Sequence, residues 1–136
     1  MKPFSLCLCL LALALLPACA GQTRVPRPHT VAPITDFAAI AGKWEGLMSR
    51  EPQQFDKDLV SVVIRDDGAY AFQTYRDEGL FKGNGKLTLS DGKAVEQTEK
   101  ESVVFTLYAE GGQRVLAAKG VAHNGVKYSA DLTPKP

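Results

Sequence analysis

The sequence predicts an all-β domain, a small antiparallel meander that closes into a roughly eight-stranded barrel after a short helical turn. Three observations carry this. Apolar residues alternate with polar or small ones over short stretches, as in Val60, Val62 and Ile64, or in Val126, Tyr128, Ala130 and Leu132 against Lys127, Ser129 and Asp131. Four turn signals punctuate the chain: Asp66-Asp67-Gly68, Ser90-Asp91-Gly92, Glu110-Gly111-Gly112 and His123-Asn124-Gly125. Gly and Asn accept the positive φ that tight hairpins need. Finally, Gly83, Gly85 and Gly120 fall inside strand patterns. Glycine there marks a sharp bend, which closure of a sheet requires, or a close approach to the backbone.

The elements follow in order. In "TDFAAIAGKWEG", Thr35 or Asp36 caps a helical turn through Ala38, Ala39 and Ile40, and Gly42 ends it. Strands are then expected near 43–50, 58–66, 69–76, 80–90, 93–99, 102–110, 113–121 and 126–133. Parity sets an inward face. It comprises Trp44 and Met48 on the first strand, Val60, Val62 and Ile64 on the second, and Tyr70 and Phe72 on the third. The fourth adds Phe81, Leu87 and Leu89, the sixth Val103, Phe105 and Leu107, and the last Tyr128 and Leu132. These side chains are bulky, and a barrel of about eight strands is just wide enough to be filled by them or to hold one small ligand. A filled interior is therefore expected, with a shallow site at one mouth or a deep ligand cavity as the alternatives. The domain is taken as 34–136. Its roughly 100 residues suffice for one core and not for two.

The first 33 residues read differently. Met1 and Lys2 make a short positive end, and Phe4 to Leu16 is almost wholly apolar and uncharged. Such a run is shorter than the roughly 20 residues of a membrane-spanning helix and suits an export signal. Leu16-Pro17-Ala18-Cys19 follows it directly. That stretch resembles the lipobox of bacterial lipoproteins, with Pro17 standing where a small residue is more usual. The resemblance implies removal of residues 1–18 and a diacylglycerol on the Cys19 thiol. It also implies attachment to a membrane through that lipid, and Ala20 after the cysteine implies passage to the outer membrane, facing the periplasm. A competing site, Ala18-Cys19-Ala20, suits ordinary signal peptidase and would start the mature chain at Gly21. Residues 19–33 hold Pro26, Pro28 and Pro33 and few large apolar groups, so they are expected to form a flexible spacer.

Cysteine and charge narrow the function. Cys7 and Cys9 leave with the signal, and Cys19 is lipidated or removed, so the mature domain forms no disulfide and no cysteine metal site. The whole chain has 16 basic and 15 acidic residues; loss of Lys2 leaves 15 of each. This balance argues against nucleic-acid binding, which needs a concentrated positive face. His29 lies in the spacer, His123 in a turn, and neither accompanies a nucleophile in a recognisable setting. A non-catalytic domain without cofactor or metal is expected.

Gly42-Lys43-Trp44, entered from a helical turn, resembles the start of the lipocalin and calycin barrels, although no later T-D motif or closing arginine is visible. The resemblance implies that Trp44 closes one barrel end and that the interior holds an apolar ligand. Trp44, Tyr70 and Tyr128 are then candidate ligand contacts. The layout is also similar to small lipid-anchored barrels that block lysozyme, with Gly120–Leu132 carrying a loose likeness to their loop. Three classes of function result: an envelope module that binds another protein, a carrier of a small apolar molecule, and a periplasmic hydrolase inhibitor. A flat apolar patch favours the first, an open apolar mouth the second, and a protruding polar loop the third.

Overall fold

The computed structural model describes residues 26–52, 57–76 and 79–136. The chain forms β1 (Val31–Ala32), a 3₁₀ turn (Phe37–Ala39), β2 (Gly42–Arg50), β3 (Lys57–Ile64), β4 (Ala69–Arg76) and β5 (Gly79–Lys86). There follow β6 (Thr88–Ser90), β7 (Lys93–Gln97), β8 (Ser102–Glu110), β9 (Gln113–Val121) and β10 (Lys127–Lys135). Nine strands lie side by side in the order β5-β4-β3-β2-β10-β9-β8-β7-β6, and β1 pairs with β8. Every pairing is antiparallel. The result is a nearly closed β-barrel, with the 3₁₀ turn standing before its long strands. β4, β8 and β9 have the expected bounds, and turn signals abut them: Asp66-Asp67-Gly68 before β4, Glu110-Gly111-Gly112 between β8 and β9, and His123-Asn124-Gly125 after β9. In the β6–β7 and β8–β9 hairpins both central residues have positive φ: Asp91 at 50° and Gly92 at 72°, then Gly111 at 57° and Gly112 at 81°. That turn twists in the same sense as the strands it joins.

The barrel closes in two ways. The first long strand, β2, pairs with the last, β10, from Lys43↔Lys135 to Arg50↔Tyr128. The remaining seam falls in mid-chain. The strand expected over 80–90 is broken at Leu87, which is why the side-by-side set among the described residues has nine strands and not eight. Before Leu87 the chain pairs with β4; after it, with β7. The Leu87 side chain is buried and its N–H donates to the Gly68 carbonyl at 2.8 Å, so the corner is pinned from both sides. Leu89, expected to point inward, is 39% exposed. β6 has a partner on one edge only, and beyond the corner there is no opposite wall for Leu89 to face. Phe81 is 44% exposed for a different reason: it stands on the barrel rim.

The spacer expected over 19–33 also needs correction at its C-terminal part. Residues 26–33 lie against the barrel; 19–25 fall outside the described residues. Val31 and Ala32 extend the edge of β8 that β7 leaves free, and the Thr30 carbonyl accepts from the Ala109 N–H at 3.0 Å. Arg27 pairs with the Asp131 carboxylate and lies 4.8 Å from the Tyr108 ring centroid. Its hydrogen bond and the charge of Asp131 hold its guanidinium pKa above the ordinary value. This strap explains why β9 is buried on both faces. Leu116 and Ala118 point inward, whereas Val115 and Ala117 lie outside, opposite the Tyr108 and Asp131 that Arg27 joins. Proline content signals extended backbone but does not say whether that backbone is docked.

Candidate functional site

One barrel end is sealed. Asp36 caps the 3₁₀ turn by accepting from the Ala38 N–H at 2.9 Å, and the turn brings Ile40 into the core. Trp44, 1% exposed, donates its indole N–H to the Ile40 carbonyl at 2.8 Å. Arg114 lies 5.3 Å from the Trp44 ring centroid and donates to the Ala39 carbonyl. No arginine was assigned to this end from the sequence. Position 114 follows an ordinary hairpin, and only the fold brings it to the tryptophan.

The other end holds a cavity of about 180 Å³. The expected filled interior is therefore corrected. Val60, Val62, Phe72, Val103, Phe105 and Leu132 line its apolar wall. Space is left because β9 and β10 contribute small residues side by side: Ala118 pairs with Ala130, and these stand between Phe105 and Met48. An interior reckoned from its large residues leaves those alanines out. A dry apolar cavity of about 150 Å³ accommodates a benzene ring, so this one is of ligand size. Exposed Phe81, Glu101 and Asn124 are among its lining residues, so the cavity reaches the surface at the rim.

Polar groups gather between this apolar wall and the rim. The Tyr70 hydroxyl donates to the Glu96 carboxylate, whose other oxygen accepts the Lys86 N–H at 3.3 Å. Glu96 thus bridges β4, β5 and β7 across the seam. Gly85 permits this, since a Cβ there would collide with the Glu96 carboxylate. Gly120 acts alike: a Cβ would strike the Ser102 carbonyl and the Tyr128 hydroxyl. Room for a neighbour, at both positions, is what the glycine supplies. Arg50 and Asp58 form an ion pair at 3.1 Å, both largely buried. Burial, then the bond to Glu96, pushes the Tyr70 hydroxyl far above the usual phenol range. Burial, then the charges of Glu101 and Glu96, pushes Tyr128 up to about 12. Both tyrosines are therefore neutral donors at ordinary pH.

Of the ligand contacts expected from sequence, Tyr70 and Tyr128 line the cavity and Trp44 does not. Trp44 belongs to the sealed end. Cys19 lies outside the described residues. His29 and His123 are both exposed, and the His29 N–H donates to Glu110 at 3.3 Å. Among the described residues, no three His, Cys, Asp or Glu side chains are grouped as metal ligands would be. Sequence reasoning missed Glu96, Arg50 and Asp58. Their signal was parity: each is a charged residue on the inward face of its strand.

No family model matches the sequence, and no curated protein matches it. Among solved structures, a redesigned β-barrel is similar, with a TM-score of 0.50 and 15% identity over 76% of this chain and 97% of that one. At that identity the likeness concerns the fold alone.

Proposed function

We propose that the protein is a lipid-anchored, non-catalytic binding protein of the cell envelope whose barrel takes up one small, largely apolar ligand through its open end. The observation that carries this is the cavity of about 180 Å³, apolar in its depth and polar at its mouth. Pockets of that construction bind by burying apolar area and orient the ligand with a few polar groups. Trp44 and Arg114, which seal the far end, support a container with a single entrance. The anchor belongs to the reading through Leu16-Pro17-Ala18-Cys19, and the location is the periplasmic face of the outer membrane.

The test is extraction of the protein purified from its native envelope, followed by mass spectrometry of the small molecules it carries. A compound near one per chain is expected, and Ala118→Leu, which fills the cavity, should remove it while the β-type circular dichroism remains. A wild-type protein that carries and accepts nothing refutes the reading. A protein partner is the second reading. Leu59 and Tyr75, paired across β3 and β4, and nearby Val63 form an exposed apolar strip on the outer wall. Capture that survives Ala118→Leu but fails with Tyr75→Ser would favour it.

A further inference from the structure

We infer that the ligand is an amphipathic cation: an apolar body of about one ring or a short chain, carrying an ammonium group that sits between Glu96 and Glu101 at the mouth. This rests on the binding function proposed above and specifies its chemistry.

The argument starts from charge at the cavity. Three charged side chains line it: Arg50, Glu96 and Glu101. Arg50 is already engaged by Asp58 at 3.1 Å. Glu96 is held by neutral donors, the Tyr70 hydroxyl and the Lys86 backbone N–H. The Lys86 ammonium itself is turned to the β3–β4 turn, 3.8 Å from the Asp67 carboxylate. Among the described residues, no basic side chain lies within ion-pair distance of Glu96 or Glu101. A half-buried carboxylate without a cation is costly, and it becomes favourable when a cation arrives.

Aromatic faces supply the second part. Tyr70, Phe72, Phe105 and Tyr128 all line the cavity, with Tyr70 and Phe105 in edge contact at 6.1 Å. Ring faces attract ammonium groups, most strongly where water is excluded, and an aromatic enclosure with carboxylates is how proteins bind quaternary amines. An anionic headgroup would meet two like charges at the same place. A neutral ligand would use the apolar wall but leave both carboxylates unmatched.

A matched series of probes tests this: 4-phenylbutylammonium, 4-phenylbutan-1-ol and 4-phenylbutanoate, titrated by calorimetry. The protein is used as cells process it, held in lipid nanodiscs where it is acylated, with empty nanodiscs as blanks. The ammonium should bind at least about tenfold more tightly than the alcohol, and the carboxylate more weakly than both. Glu101→Gln, at the exposed rim, should lower ammonium affinity more than alcohol affinity and so shrink the ammonium preference. Glu96→Gln should do the same more strongly. Equal binding of alcohol and ammonium, or tightest binding of the carboxylate, overturns the cation and leaves the cavity reading in place. Failure of all three probes overturns both.

Discussion

Truncation of Trp44 is the sharpest test of how the closed end is built. Trp44→Ala removes a fully buried indole, the bond to the Ile40 carbonyl at 2.8 Å and the ring on which Arg114 rests. Loss of so large a buried side chain costs about 3–5 kcal/mol. Trp44→Phe separates the contributions. It keeps most of the ring but leaves the buried Ile40 carbonyl without its donor, which costs about 1–3 kcal/mol. Arg114→Met removes the cation from the ring and the bond to the Ala39 carbonyl, about 1 kcal/mol at a half-exposed site. Urea denaturation followed by circular dichroism measures all three, with the slope compared to detect loss of two-state behaviour. Trp44→Phe should change ligand affinity by less than about twofold, because the indole lies outside the cavity. A loss below about 1 kcal/mol for Trp44→Ala would refute the sealed end. A large loss of affinity in a stably folded Trp44→Phe protein would return Trp44 to the ligand contacts.

Further tests address other parts of the molecule. Arg27→Ala should destabilise the barrel by about 1 kcal/mol after allowance for solvent screening and should lower hydrogen-exchange protection at the Ala109 amide, which the strap covers; unchanged protection there would show that the strap docks without Arg27. Gly120→Ala should cost at least about 2 kcal/mol, since its Cβ meets the Ser102 backbone and not a side chain that can swing away; a neutral effect measured by urea denaturation would disprove the close approach. Tyr128 has a folded-state pKa raised from 10.0 to about 12, so its stabilising effect is full below pH 10 and is lost as pH rises toward 12. Unfolding midpoints taken from pH 9 to 12 should fall less steeply in Tyr128→Phe, and parallel curves would contradict that assignment. Intact mass decides the N-terminus: an acylated chain starting at Cys19 is expected, and an unmodified chain starting at Gly21 would end the lipoprotein reading.

Much of the fold was legible because its determinants are local. Strand direction follows from period-two alternation, and a hairpin follows from residues that accept positive φ; both signals are complete within about ten residues. Asp91-Gly92 and Gly111-Gly112 therefore placed the start of β7 and both ends of the β8–β9 turn closely, whereas the break that separates β6 from β5 carried no such signal. Tyr70 and Tyr128 were legible as inward-facing residues for the same reason, being large groups at inward parity. Glu96 was not, because an inward carboxylate matters only through what surrounds it. Its partners Tyr70 and Lys86 come from two other strands.

By itself, then, the sequence determined an all-β chain with one core and an inward face on each strand. Tertiary structure alone decided where the sheet turns its corner, that the segment 26–33 straps the outer wall, and that Arg114 lies on Trp44. It alone also decided that the interior is hollow. A strand declares its own in-and-out pattern, but an interior volume is the difference between what all strands enclose and what all their side chains fill. Ala118 beside Ala130 is unremarkable on each strand, and becomes a cavity when the two are brought together facing Phe105 and Met48.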